Sequence, residues 1–128
     1  LPTGYMLIDG GAPTTASYIS DTRPIPANKP DIAACTAMAG EMLGLQLFYL
    51  DTGSGAPQAV PVPLISAVKK ATSLPLMVGG GIRTAEGATS AWQAGADMVV
   101  IGNALEENPE LLQSFQDALL HCNAIQTT

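Results

Sequence analysis

Four near-continuous apolar runs, each running into glycine, constrain this chain more than any other feature. They are GYMLID (4–9) before Gly10 and Gly11, LQLFYLDTGSG (45–55), PLMVGGG (75–81) and DMVVIGN (97–103). Runs without strict apolar–polar alternation predict strands covered on both faces, as in parallel sheets. Helical signals separate them. Pro30 and Asp31 open DIAACTAMAGEML, with Gly44 as its stop, and Pro63 opens LISAVKKA. Thr84 is placed to cap AEGATSAWQA, which ends at Gly95, and Asn108, Pro109 and Glu110 lead into LLQSFQDALL. The order βαβαβαβα predicts an α/β fold with a parallel sheet. Two architectures fit: an open flavodoxin-like sheet, or half of an eight-stranded (β/α)₈ TIM barrel.

In both architectures ligands bind at the C-terminal ends of the strands, where every glycine cluster of this chain falls. The stretch LMVGGGIRT (76–84) carries three consecutive glycines before a helix. Glycine weakens strands and helices, so three together mark a very close approach of backbone to something. Several bare amides aimed at one spot suit a phosphoryl group. Gly102 and Asn103 end the next strand, and the loops after the last two strands of such barrels often build one phosphate site. A pair of tight turns is the plainer alternative. Arg83 reads either as extra charge for that site or as an outward-pointing residue of the first helical turn.

YLDTGSG (49–55) is the richest stretch. Asp51 at a strand end suits a carboxylate that accepts hydrogen bonds from substrate hydroxyls or takes a proton from one, the plainer alternative being a helix cap or turn acid. Ser54 and its neighbouring amides reach toward the same phosphate, and Tyr49 either lines the pocket or packs in the core. Asp9 reads as a turn acid before Gly10 and Gly11, with a ligand role as the alternative, and Trp92 and Phe115 read as core. The segment 12–29, rich in Pro, Ser and Thr, is expected to be an irregular loop. It either folds over the sheet ends or is a solvated connector.

Composition narrows the classes. The chain has 128 residues, is 47% hydrophobic and 12% charged, and carries a formal net charge of −6. That suits one domain with a real core and argues against broad nucleic-acid binding, which needs a basic face. No apolar run reaches membrane-span length, so no membrane anchor is expected. Cys35 and Cys122 have no metal-like spacing and suit a reducing cytosol, and His121 is the single histidine. No residue here is assigned to a metal.

Together, PTGYMLIDGG, TRPIP with DIAACTAMAGEMLG, YLDTGSGAP, VGGGIRT and VVIGNALEENPEL resemble the geranylgeranylglyceryl phosphate synthase family, which includes heptaprenylglyceryl phosphate synthases. The resemblance covers nearly the whole chain. It implies a modified (β/α)₈ barrel, of which residues 1–128 are the C-terminal half with the phosphate-binding loops, the N-terminal half being absent. It implies a cytoplasmic prenyltransferase of ether-lipid (phospholipid) biosynthesis, joining sn-glycerol 1-phosphate to a polyprenyl diphosphate and releasing diphosphate. The glycerol phosphate site carries over to Tyr49, Leu50, Asp51, Thr52, Gly53, Ser54 and Gly55, to Gly80 and Gly81, and to Gly102 and Asn103. Asp51 stands where the family commonly has glutamate, one methylene longer. Mg²⁺ is the implied cofactor, with its ligands expected in the absent half, and a homo-oligomer is expected. The fragment alone is expected to be inactive. Rival readings are another phosphate-binding barrel isomerase or synthase, and a non-catalytic half-barrel that assembles through its unpaired edge strands.

Overall fold

A computed structural model describes residues 1–127. The strands are β1 (Thr3–Leu7), β2 (Leu47–Asp51), β3 (Leu76–Gly79) and β4 (Met98–Val100). The helices are α1 (Thr15–Ser20), α2 (Pro30–Met42), α3 (Val62–Ala71), α4 (Ala85–Ala94), α5 (Asn103–Glu107) and α6 (Leu111–Gln126). All pairings are parallel and the strand order is β1-β2-β3-β4.

That order decides between the two architectures. A flavodoxin-like sheet reverses direction at a switch point and so carries helices on both faces. Here every crossover steps the same way, and right-handed crossovers then lay their helices on one face only. Gly4, Met6 and Ile8 of the first strand region alternate with Tyr5 and Leu7, and the first set is buried toward the helices, while on the other face Tyr5 is exposed and Leu7 is buried. Met6 and Ile8 join Phe48, Leu50, Leu76 and Val78 in the core beneath Ala33, Ala37, Leu64, Ile65, Val68, Ala88, Ala91 and Trp92. The opposite face carries Tyr5, Tyr49, Asp51, Met77 and Val100, and it is open: Tyr5 is 48% exposed and Met98 and Val100 are each 40% exposed. Parallel sheets are ordinarily covered on both faces. A singly wound sheet with one bare apolar face is half of a (β/α)₈ barrel.

The helix ends follow their local chemistry. The Thr84 hydroxyl accepts from the Gly87 amide at 3.1 Å, and Gly95 closes α4 at φ 116°. Pro30 and the acid Asp31 occupy the first turn of α2. Trp92 and Phe115 are core residues, as expected, Cys122 is buried, and Cys35 and His121 are exposed.

Three local expectations are corrected. Segment 12–29 contains a helix, α1, which escapes a periodicity search because six residues are too few to show one. Ser17 fixes its start: the Thr14 amide donates to Ser17 Oγ at 3.0 Å, and Ser17 Oγ donates back to the Thr14 carbonyl at 2.8 Å. The same segment returns to the sheet edge, where the Ile25 amide donates to the Leu7 carbonyl and the Asp9 amide to the Ile25 carbonyl. A second short helix, α5, follows β4 directly. Finally, α6 begins at Leu111 and runs through Gln126, beyond the expected stretch; the Asn108 side chain accepts from the Glu110 amide ahead of it.

Candidate functional site

A pocket of about 160 Å³ opens at the C-terminal ends of the strands. Its lining comes from three strand ends: Tyr49 and Asp51 in β2 with Ser54 and Gly55 after it, Gly80 to Arg83 after β3, and Val100 in β4 with Gly102 to Ala104 after it. The structure thus brings together Tyr49, Asp51, Ser54, Gly55, Gly80, Gly81, Gly102 and Asn103. It does not bring three of the proposed stretch into the lining. Leu50 is fully buried on the helix side, because strand alternation turns it away from its neighbours Tyr49 and Asp51. Thr52 is 2% exposed, and its hydroxyl has no partner among the described residues. Gly53 lies beneath Thr14, with its amide spent on Asp51.

The glycine run has a structural reason as well as a chemical one. Gly80 and Gly81 both take left-handed backbone, at φ 81° and 68°. A Cβ on Gly81 would stand 2.5 Å from the Gln58 carbonyl group, and one on Gly80 would meet Asp51 Oδ1 at 2.8 Å and the Gly53 amide at 2.9 Å. The close approach that the run demands is therefore, first of all, to the neighbouring turn of the same protein.

What remains free is informative. The amides of Ser54, Gly55, Gly80, Gly81 and Gly102 have no hydrogen-bond partner among the described residues. Polar backbone groups at a concave site ordinarily find protein, water or ligand partners. Ser54 Oγ donates to Asn103 Oδ1 at 3.0 Å, so the β2 and β4 ends meet across the pocket.

Asp51 is largely buried, and each of its oxygens has a donor: the Gly53 amide on Oδ1 at 2.8 Å and the Tyr5 hydroxyl on Oδ2 at 2.6 Å. Tyr5 also meets Tyr49 edge-on, ring centroids 5.5 Å apart. Burial, then the bond to Asp51, pushes the Tyr5 phenol well above its ordinary range. Burial, then the Asp51 charge, raises Tyr49 too. Both phenols therefore remain neutral donors beside the carboxylate at neutral pH. Sequence reasoning missed Tyr5. The available signal was parity: Tyr5 is in register with Tyr49 and falls on the same face as Asp51.

Arg83 belongs to the pocket rim, with its guanidinium donating to the Ala56 carbonyl at 3.2 Å and the Pro57 carbonyl at 3.4 Å. Asp9 is a turn acid, accepting from the Gly11 amide at 2.9 Å. No group of three or more His, Cys, Asp or Glu side chains gathers as a metal site among the described residues. No helix among them is long and apolar enough to cross a membrane.

Comparison with known proteins follows the same geometry. A geranylgeranylglyceryl phosphate synthase of Spirosoma linguale is 61% identical over 112 residues, covering 88% of this chain and 45% of that protein. One from Methanothermobacter marburgensis is 52% identical over 108 residues, covering 84% and 43%. The chain spans a little under half the length of these curated relatives. Its fold matches the crystal structure of (S)-3-O-geranylgeranylglyceryl phosphate synthase from Thermoplasma acidophilum in complex with substrate sn-glycerol-1-phosphate, at TM-score 0.86 and 34% identity, covering 92% of this chain and 48% of that one. The half-barrel reading and the family resemblance are thus borne out. The model of the PcrB family matches residues 1–119, and the chain belongs to that family.

Proposed function

We propose that residues 1–128 are the glycerol-phosphate-binding half of a prenyltransferase that joins sn-glycerol 1-phosphate to a polyprenyl diphosphate. The observation that carries this reading is the set of partner-free amides from three strand ends around one pocket, with Asp51 at its side. The relatives' names and the sn-glycerol-1-phosphate bound to the Thermoplasma neighbour support the choice of substrate.

In this reading the amides of Ser54, Gly55, Gly80, Gly81 and Gly102 and the Asn103 side chain receive the phosphoryl oxygens. Charge-assisted bonds to bare backbone hold the anion without a dedicated cation. Asp51 faces the glycerol hydroxyls. Each of its oxygens keeps a second lone pair after accepting from Tyr5 or Gly53. Tyr5 fixes the carboxylate's rotamer, and Tyr49 walls the pocket. The glycerol oxygen forms a bond to the allylic carbon while that carbon's bond to diphosphate breaks. The diphosphate leaves with the electron pair, and the hydroxyl proton passes to Asp51. Holding the nucleophile in place makes the encounter effectively unimolecular. The described residues do not form a Mg²⁺ site. The reading includes a cytoplasmic, self-associating enzyme whose other barrel half supplies the remaining site.

Titrating the 128-residue chain with sn-glycerol 1-phosphate tests the binding half of this reading. Amide NMR shifts are expected at Ser54, Gly55, Gly80, Gly81 and Gly102, and shifts confined to other residues would overturn it. In a protein with the barrel completed, Asp51→Ala should lower kcat/KM for ether formation about a hundredfold or more. Unchanged turnover would remove Asp51 from the reaction. Turnover of a different phosphorylated substrate, with no ether product, would move the site to another barrel enzyme.

A further inference from the structure

The β2–α3 turn that carries Ser54 and Gly55 is clasped on both sides. Toward β1, the Gln58 amide donates to the Gly10 carbonyl at 3.1 Å. A Cβ on Gly10 would meet Ala56 Cβ at 3.0 Å. Toward β3, Gly81 lies flat against the Gln58 carbonyl group, with no room for a side chain. Inside the turn, the Ala56 amide donates to the Gly53 carbonyl at 3.2 Å. Two carbonyls of this turn, those of Ala56 and Pro57, point outward from it, and both are taken by the Arg83 guanidinium. Among the described residues, Arg83 and Asp51 are the only charged side chains lining the pocket.

We propose that Arg83 is a positioning residue: its planar fork bridges the Ala56 and Pro57 carbonyls and holds the β2–α3 turn so that the Ser54 and Gly55 amides face the pocket. This rests on the anion-binding reading above for its functional consequence, but not for the clasp itself. The chemistry favours arginine. A rigid guanidinium addresses two acceptors at a fixed separation, whereas a lysine ammonium is a single flexible point charge. Its two bonds engage both terminal guanidinium nitrogens with the turn's own carbonyls. Three elements, the turns after β1, β2 and β3, are thereby locked as one unit, and Arg83 is the side-chain part of that lock.

The test compares Arg83→Lys and Arg83→Met in the 128-residue chain. Hydrogen exchange reads the Ala56 and Gln58 amides, whose partners lie within the clasp, against Leu50 and Val78 in the sheet. The expected result is about tenfold faster exchange at Ala56 and Gln58 in both variants, with Leu50 and Val78 unchanged. Affinity for sn-glycerol 1-phosphate should weaken about tenfold in both as well. Wild-type exchange at Ala56 and Gln58 in Arg83→Met would overturn the proposal, whatever happens to binding. So would Arg83→Lys retaining full affinity while Arg83→Met loses it, because charge alone would then be the contribution. If the unaltered chain fails to bind the phosphate, the reading of the site falls, yet the exchange arm still decides the clasp.

Discussion

The two ends of the parallel sheet are held together by different means. At the N-terminal end, side-chain carboxylates close the loops. Glu41 at the end of α2 accepts from the Thr72 hydroxyl and from both the amide and the hydroxyl of Ser73. Asp97 accepts from Lys69 Nζ at 2.6 Å and the Leu76 amide at 2.8 Å. At the C-terminal end, backbone packs directly on backbone, with Gly10 and Gly81 both set against the Gln58 carbonyl group. The difference teaches what each end is for. The Ser73 and Leu76 amides at the N-terminal end are spent on carboxylates. At the C-terminal end Asp9 and Asp51 take only the Gly11 and Gly53 amides, and those of Ser54, Gly55, Gly80, Gly81 and Gly102 stay without a partner among the described residues, in keeping with the division of barrels into a stability face and a site face.

The sharpest way to break this contrast is to put a side chain where the turns interlock. Gly81→Ala adds a Cβ against main chain in a left-handed conformation, and should cost about 2–4 kcal/mol of stability. Denaturant unfolding reads this directly. A cost below about 0.5 kcal/mol would show that the turns have slack. Next in size, Tyr5→Phe deletes a donor to the Asp51 carboxylate. In a protein with the barrel completed it should lower kcat/KM about tenfold with little change in stability, and Asp51→Ala should mask it. Full additivity of the two would mean that Tyr5 acts independently of Asp51.

Thr52 provides a smaller effect of opposite sign. Its buried hydroxyl has no partner among the described residues, and an orphaned polar group costs stability. Thr52→Val keeps the shape and removes the hydroxyl, so it should stabilise the chain by about 1 kcal/mol. A loss of stability there would reveal a partner for that oxygen.

The smallest effect lies at the opposite end. Burial alone would raise the Asp97 carboxyl, but the Lys69 bond, the Leu76 amide and the Lys69 charge together outweigh it and hold Asp97 below its ordinary 3.8. A carboxyl depressed in the folded state adds stability above its unfolded value, and that stability is lost as pH falls through the folded one. Asp97→Asn should therefore shave stability at neutral pH and flatten the decline below about pH 4. Because the pair is exposed, the change should be slight. An unchanged acid limb would assign the decline to Glu41, whose carboxyl is lowered by the Ser73 and Thr72 hydroxyls.

Much of the site was legible from residue order. Asp51, Ser54 and the glycines after β3 and β4 announce themselves, because glycine at a strand end marks a close approach of backbone, whether to a ligand or to a neighbouring turn. Leu50 and Thr52 came along only as neighbours in the motif, and strand alternation separates them from the pocket. Tyr5 stayed hidden because its importance comes from register: it lies forty-six positions from Asp51 in the chain and one hydrogen bond away in space. Arg83 was undecided for the same reason, since only the fold shows which carbonyls lie within its reach.

The sequence by itself determined the parallel β/α alternation, the strand ends rich in glycine and the acid beside them, because apolar runs, caps and backbone freedom are local properties. Tertiary structure alone decided that the sheet winds one way with its helices on one face, that the glycines make room for neighbouring turns, that Tyr5 bonds Asp51, and that Arg83 bonds the Ala56 and Pro57 carbonyls at the pocket rim. Those facts depend on which strand lies beside which, and pairing is a contact between distant residues that no local pattern encodes.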